Sequence, residues 1–518
     1  MCENIDAGKK NNCAIRLSNI TKIFGSTVAN DSINLSAGQG EILALLGENG
    51  SGKTTLMNIL AGIYLPDAGD IEIFGEKVHI RSPKDAIDLG IGMIHQHFKL
   101  VDVHSAADNI IMGNKSEGII LKKKRYQKIA EISEKYGLNV EPRKKIYDMS
   151  VSEKQTVEIL KMLYRKAKIL ILDEPTAVLT PQESKNLFNI LRKMRDNGCT
   201  VIIITHKLNE VLEISDRVVI LRKGKSVATV KTSETDALKL TELMVGKKVT
   251  LSIDRPVSDY SGNLLEIHHL TTENDEGIKT LKDVSFSLNK GEILGVAGVA
   301  GSGQKELCET IAGLMKVKKG AILYKKENII GKTPEEIIKM GISMSFIPED
   351  RLGMGLVASM GMADNLLLKR YNEGKTPFVE KKQARKLSKR LIEKLDIKTP
   401  GIDTPVRNLS GGNVQKVLLG REIESSPNVL ITAYAVRGLD INSSYVVYDN
   451  LNEQKKKGTG ILYIGEDLDV MLDLCDRIMV LCHGKVTGIV DANEATKEQI
   501  GLLMTDAFGK EEDGNEQD

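Results

Sequence analysis

GEILALLGENGSGKTTLMNILAG, Gly40 to Gly62, decides the architecture: five apolar residues, Ile42 to Leu46, run into a glycine-rich turn that opens a helix-forming segment. An apolar run of that length, bounded by a turn, reads as a strand buried in a parallel sheet. The turn itself, Gly47-Glu48-Asn49-Gly50-Ser51-Gly52-Lys53-Thr54, has the spacing at which glycines let successive backbone N–H groups curl around a phosphate at a helix N-terminus. The stretch recurs as GEILGVAGVAGSGQKELCETIAG, Gly291 to Gly313, with Glu292 answering to Glu41 at an offset of 251 residues. Further on, ISDRVVILRKGK (Ile214 to Lys225) matches LCDRIMVLCHGK (Leu474 to Lys485), and Asp476 answers to Asp216 at an offset of 260. The chain is a tandem repeat with nine residues added in the middle of its second half.

A length of 518 residues suits two domains of about 250, each able to bury a core of its own. Lysine plus arginine number 72 against 70 acids, so the net charge of +2 offers no basic field for nucleic acid, and the run Lys122 to Arg125 reads as a solvated helix face. The six cysteines lack zinc spacing, and a chain this long needs no disulfide staples, which fits a reducing cytosol. No stretch reaches 18 consecutive apolar residues and the N-terminus has no apolar core, so the chain is expected not to span a membrane by itself. Tryptophan is absent and aromatics are only 4 %, which argues against a sugar gripped on aromatic faces in this chain.

Short apolar runs alternate with helix-period stretches through both halves. Ile42 to Leu46, Ile169 to Leu172 and Val201 to Ile204 are expected as buried parallel strands, and the fold class as α/β with crossover helices. The reading divides the chain into a tail (1–13), a first domain (14–250), a short polar link (251–262), a second domain (263–507) and an acidic tail (508–518).

Chemistry gathers around the first glycine-rich turn. Lys53 would reach the β and γ oxygens of a nucleotide, and the Thr54 hydroxyl would take Mg²⁺. Ile169 to Pro175 (ILILDEP) delivers two carboxylates to a strand end, where open α/β sheets bind ligands. Asp173 would hold Mg²⁺ through water, and Glu174 would act as general base on the attacking water. His206, closing the strand Val201 to Thr205, would contact the γ-phosphate, and Gln96 in GMIHQHF would touch both metal and water. The expected ATP contacts are Gly47, Glu48, Asn49, Gly50, Ser51, Gly52, Lys53, Thr54 and Thr55.

With these motifs in order, the chain resembles a two-domain ATPase of the ABC superfamily, in the branch that powers simple-sugar and nucleoside importers. Leu409 to Lys416 (LSGGNVQK) is similar to that branch's signature, and the resemblance covers about residues 14 to 505. It implies two tandem ABC-type domains, each with a core sheet and a helical subdomain, and ATP and Mg²⁺ as cofactors. It implies that Phe24 stacks on adenine. It also implies that Ser410, Gly411 and Gly412 contact nucleotide held by the other domain's phosphate loop. The partners implied are integral membrane permease subunits and, indirectly, a substrate-binding protein, with the chain peripheral on the cytoplasmic face of the cell membrane. The loop His95 to Val101 resembles the nucleoside branch more than the sugar branch.

The two halves differ in the residues that matter. Lys53 becomes Gln304, Thr54 becomes Lys305, Gln96 becomes Glu349, Asp173 becomes Ala433, Glu174 becomes Tyr434 and His206 becomes Glu466. Losing a general base alone costs about 10² to 10⁴ in rate. The defect is reversed at the signature, where Ser150-Val151-Ser152-Glu153 stands against Ser410-Gly411-Gly412-Asn413. The expectation is one working ATP site driving import of a nucleoside or simple sugar. A soluble twin-domain ABC protein acting on ribosomes is the alternative, but such proteins usually keep both sites and a long charged linker.

Overall fold

The computed structural model describes residues 13–95, 98–112, 122–177, 179–246, 253–257, 262–274, 276–299, 301–346, 355–369, 381–437, 439 and 441–505. Two strand patterns build the first half. Cys13–Phe24 (β1), Thr27–Gly38 (β2) and Ala68–Ile73 (β4) mix buried and exposed positions, and with the outer strand Glu76–Val78 (β5) they pair antiparallel in the order β2-β1-β4-β5. Such half-buried strands have one face for the core and one for water.

Ile42–Leu46 (β3) and Thr200–Ile204 (β8) are buried at every position, and Ile169–Asp173 (β7) at its first four. They pair in parallel, with Ile91–Ile94 (β6) beside β7 and Arg217–Arg222 (β9) beside β3, while Lys225–Lys231 (β10) closes the edge antiparallel to β9. The three strands expected to be buried and parallel are so. Alternate residues face two cores. Leu43, Leu45, Ile169, Ile171, Ile202 and Ile204 pack with Leu56 and Leu60 of the helix Lys53–Leu60, on the side of the antiparallel sheet. Ile42, Leu170, Leu172, Val201 and Ile203 pack with Val157, Leu160, Phe188 and Leu191 on the other side. A strand between two apolar layers must itself be apolar throughout, which is why these runs do not alternate. The helical part, with Ala106–Ile111, Lys122–Tyr136 and Val151–Tyr164, contributes Ala107, Ile110 and Ile129 to the second of these cores. The basic run expected as a solvated face begins that middle helix, and its side chains lie outside the described residues.

The second half repeats the plan. Asn263–Glu273 (β11), Lys279–Asn289 (β12), Val317–Tyr324 (β14) and Glu327–Asn328 (β15) form the order β12-β11-β14-β15. Ile293–Ala297 (β13), Ile342–Phe346 (β16), Val429–Ala433 (β17), Gly460–Ile464 (β18), Arg477–Cys482 (β19) and Lys485–Asp491 (β20) form β16-β17-β18-β13-β19-β20. Anchors recur too: the Asp216 and Asp476 carboxylates each accept the N–H that opens the central strand, Ile42 and Ile293, at 2.8 Å.

The chain divides into two compact units, Met1–Thr250 and Leu251–Asp518. Within the stretch read as a link, Ile253 packs on the second unit's core and Arg255 donates to the carbonyls of Leu472 and Cys475. Both tails lie almost wholly outside the described residues. Among the described residues no helix is long and apolar enough to cross a membrane, and five cysteines are free thiols.

Candidate nucleotide site

Strand β3 ends at Leu46, and the backbone that follows turns through conformations only glycine takes easily. Gly52 has φ 96°, and a Cβ there would lie 2.4 Å from the Ala29 carbonyl oxygen. A side chain at Gly47 would meet the Leu221 carbonyl at 2.4 Å. The loop is held from outside: Asn30 donates through Nδ2 to the Gly52 carbonyl at 3.0 Å, and the Gly224 N–H to the Ser51 carbonyl at 3.2 Å. Lys53 opens the helix Lys53–Leu60, is only 7 % exposed, and donates through Nζ to the carbonyls of Gly47 and Glu48 at 2.6 and 2.9 Å.

Strands β7 and β8 bring the acids. Asp173 is the last residue of β7; Glu174 follows at φ 46°, its N–H donating to the Ile204 carbonyl at 2.8 Å. This left-handed step turns the Glu174 carboxylate toward β8's end, where His206 Nδ1 lies 2.9 Å from its Oε1. Asn49, Gly50, Gly52, Lys53, Thr54, Thr55, Asp173, Glu174 and Ile204 line one cleft of about 140 Å³.

The charges in this cleft are coupled. Burial, then the neighbouring Glu174 charge, pushes the Asp173 carboxyl up to about 6, against Lys53 and a hydrogen bond from Thr54. The His206 hydrogen bond holds the Glu174 carboxyl below its ordinary value despite burial. Burial lowers Lys53, and the charges of Glu174, Asp173 and Glu48 oppose that. Two adjacent carboxylates, one of them short of compensating charge, suit a divalent cation beside Thr54. Among the described residues no three His, Cys, Asp or Glu side chains gather as a ready-made metal site. The Ser51 hydroxyl oxygen is buried without a hydrogen-bond partner beside this loop, a donor suited to an anion.

Most of the residues singled out in the sequence around the first turn therefore converge: Gly47 to Thr55, Asp173, Glu174 and His206. Gln96 and its counterpart Glu349 lie outside the described residues. Phe24 ends β1, is 42 % exposed and so is not a core residue, and meets Tyr64 edge-on at 5.2 Å with Lys22 Nζ 5.4 Å from its ring centre. Ser410 is the N-cap of the helix Gly411–Glu424 in the second unit.

Sequence reasoning missed Asn30, Tyr64 and Lys207. Asn30 is fully buried beneath Gly52; Lys207 pairs with Glu210 at 3.1 Å, bonds the Thr176 carbonyl, and adds positive charge near Glu174. None sits in a motif: strand β2 brings Asn30 to the loop, Tyr64 is met only through its contact with Phe24, and Lys207 through Glu210 and the Thr176 carbonyl.

The second unit keeps the backbone and changes the groups. Gly303 has φ 108°, the Gly484 N–H donates to the Ser302 carbonyl at 3.0 Å, and Tyr434, at φ 54°, donates its N–H to the Ile464 carbonyl at 2.8 Å. Gln304 instead of lysine donates to the Val299 carbonyl at 3.2 Å, Lys305 lies 3.7 Å from Glu309, and Ala433 carries no carboxylate. Arg437 sits 3.6 Å from Glu466 and 5.9 Å from the Tyr434 ring centre.

The ABC transporter family profile matches residues 30–177 and 281–432. The chain is 44 % identical over 504 residues to the guanosine import ATP-binding protein NupO of Bacillus subtilis (strain 168), covering 96 % of this chain and 98 % of that one. It is 42 % identical over 499 residues to the nucleoside import ATP-binding protein NupA of Lactococcus lactis subsp. cremoris (strain MG1363), covering 95 % and 98 %. It is 37 % identical over 531 residues to the glucose import ATP-binding protein TsgD13 of Haloferax volcanii, covering 95 % of each.

Proposed function

The chain belongs to the ABC transporter family, as the ATP-binding subunit that energises a nucleoside or sugar importer, and from that premise we propose that it hydrolyses ATP only in its first unit and serves a nucleoside permease. The observation that carries the one-site reading is the cleft where Lys53, Thr54, Asp173 and Glu174 meet, set against Gln304, Lys305, Ala433 and Tyr434 at the matching positions.

In that cleft the backbone amides of the Gly47 to Thr55 loop and the Lys53 ammonium would hold the β and γ phosphates. Thr54 and Asp173 would hold Mg²⁺ with the nucleotide, which supplies positive charge to the phosphate oxygens. Water attacks the γ-phosphorus as its proton passes to Glu174, and the bridging oxygen leaves with ADP. His206 both orients the Glu174 carboxylate and suppresses its basicity through the 2.9 Å contact. A shift of that imidazole to the γ-phosphate would free the base as the phosphate becomes positioned. Ser410, Gly411 and Gly412 would meet the same nucleotide during turnover, a role the family resemblance supports.

Membrane permease subunits are the partners this reading requires. Ile63 and Ile87 are exposed apolar residues in the first unit, and Leu314 and Ile338 are exposed at the positions 251 residues further on in the second. Leu314 and Ile338 line one cleft there. Large apolar side chains kept in water at matching places in both units are suited to covering by a partner. Nucleoside is favoured as cargo because the relatives at 44 % and 42 % identity carry nucleoside names and the glucose relative stands at 37 %.

Uptake tests both parts. Cells whose chromosomal copy carries Lys53→Ala should lose uptake of a labelled nucleoside while retaining ribose and galactose uptake. Loss of a sugar with nucleoside uptake intact would move the cargo to the sugar branch.

A further inference from the structure

Two aromatic rings stand side by side in water at one end of the first unit's antiparallel sheet. Phe24 is 42 % exposed and Tyr64 37 %, with ring centres 5.2 Å apart and ring planes at 73°. In a chain with only 4 % aromatic residues, two exposed rings in contact are a marked feature, and the pair gains energy that a lone exposed ring does not.

Each ring is tied to a different side of the phosphate loop. Phe24 lies opposite Thr27 at the tip of the hairpin formed by β1 and β2, and Asn30, opposite Lys22 in the same ladder, donates to the Gly52 carbonyl. Tyr64 follows the helix that Lys53 opens, and its N–H donates to the Asn58 carbonyl of that helix at 3.2 Å. Asp67 draws the two together. Its N–H donates to the Thr21 carbonyl at 2.8 Å, and its carboxylate accepts from the Ile23 N–H at 2.6 Å and from Lys22 Nζ at 3.2 Å. The Phe24 backbone is thus held through its neighbour Ile23, and the ring is met by Tyr64.

The second unit changes the whole arrangement at once. Asn274 stands for Phe24 at an offset of 250, and Met315 and Lys318 stand for Tyr64 and Asp67 at 251. Lys318 pairs there with Glu273, the counterpart of Ile23. Phe24, Tyr64 and Asp67 therefore occur together in the unit that has Lys53, Asp173 and Glu174, and are replaced together in the other.

We propose that Tyr64 is a positioning residue for nucleotide binding: its contact holds the Phe24 ring in the attitude in which that ring meets the base, and the Asp67 clamp fixes the pair against the helix that carries Lys53. The inference rests on the reading that Phe24 stacks on adenine. A phenylalanine unsupported at a hairpin tip samples several rotamers, and a base would have to select one of them on binding; a ring already held loses less entropy. Tyr64 therefore adds to the grip on the base without touching the phosphates, and adds equally before and during hydrolysis.

The test separates base from phosphate. Affinities of the full chain for ATP and for inorganic tripolyphosphate, each with Mg²⁺, are read by displacement of a fluorescent ATP analogue, and KM and kcat by phosphate release from the purified transporter. Tyr64→Ala should weaken ATP binding by about three- to tenfold and raise KM by the same factor, with tripolyphosphate affinity and kcat within about twofold of the unsubstituted protein. Tyr64→Phe, which keeps the ring, should bring ATP affinity back to within about twofold. Equal weakening of ATP and tripolyphosphate would make Tyr64 a structural residue only and overturn the proposal, as would ATP affinity unchanged in Tyr64→Ala or not restored in Tyr64→Phe. Phe24→Ala separates the two ways of failing, since it should weaken ATP at least as much as Tyr64→Ala. If Phe24→Ala leaves ATP affinity intact, the adenine reading falls and the role of Tyr64 with it; if it weakens ATP while Tyr64→Ala does not, only the Tyr64 assignment falls.

Discussion

Glu174 sits in a backbone conformation that few residues hold, φ 46°, and Tyr434 holds nearly the same one at 54° with the same N–H to carbonyl bond beneath it. The duplicated turn therefore survives where its side chain has changed, because the turn is fixed by a main-chain bond that does not depend on the side chain. The phosphate loop separates its glycines in a similar way. Gly52→Ala would place a Cβ 2.4 Å from the Ala29 carbonyl at φ 96°, whereas Gly50 has φ 78° and nothing within 4 Å of its would-be Cβ. The left-handed conformation alone costs about 1–2 kcal/mol, so Gly50→Ala should lower stability in urea melts by about 1 kcal/mol and leave ATP affinity within a few fold. Gly52→Ala, with the backbone clash added, should lower stability by about 2–3 kcal/mol and weaken ATP binding by at least tenfold. The glycine spacing made this loop legible in the sequence. The reason Gly52 cannot change was not legible, since Ala29 and Asn30 reach it only through the packing of β2 against the loop. Phe24 was assigned an aromatic role by resemblance; its exposure and its contact with Tyr64 come from the fold.

At the level of elements, the two signature helices show what local sequence can and cannot reveal. Ser-x-x-Glu at Ser150 to Glu153 has the spacing of a capping box, although the sequence alone marks this stretch only by its departure from Ser410-Gly411-Gly412-Asn413. Lys144, whose Nζ donates to both Glu153 carboxylate oxygens at 2.7 and 2.9 Å, was not readable, because its approach depends on the turn through Lys145 and the short 3₁₀ segment Ile146–Asp148. Burial works to raise the Glu153 carboxyl, but the Lys144 and Ser150 bonds outweigh it and hold the folded group below its ordinary value, so the stability it adds is present above the unfolded pKa and lost as pH falls through the folded one. The group is partly exposed, which limits the effect, and caps of this kind are worth about 1 kcal/mol. Glu153→Ala should therefore destabilise the first unit by about 1 kcal/mol at pH 7. The difference should shrink as pH is lowered below the ordinary glutamate value, as read from urea melts of the two proteins across that range. The buried strands were the easiest elements to foresee, since Ile42 to Leu46 and Val201 to Ile204 are apolar at every position and sit between two cores.

Across the whole chain, two constant offsets carry one plan twice, down to the aspartates that cap β3 and β13. The duplicated surface is as informative as the duplicated interior. Exposed Ile87 and Ile338 stand at matching positions, and if permeases cover them, Ile87→Asp with Ile338→Asp should release the chain from permease-containing membranes in a salt wash without changing ATP affinity. Retention equal to the unsubstituted chain would place the contact elsewhere. What the repeat does not duplicate is the set of side chains proposed to carry the reaction: Lys53, Thr54, Asp173, Glu174 and His206 have no chemical equals in Gln304, Lys305, Ala433, Tyr434 and Glu466. Phosphate release by the purified transporter tests that division most directly. Glu174→Gln should bind ATP within a few fold of the unsubstituted protein and lose turnover by about 10² or more, while Gln304→Ala should stay within about twofold, having no charged contact to lose. A loss from Gln304→Ala comparable to that from Glu174→Gln would contradict a single working site.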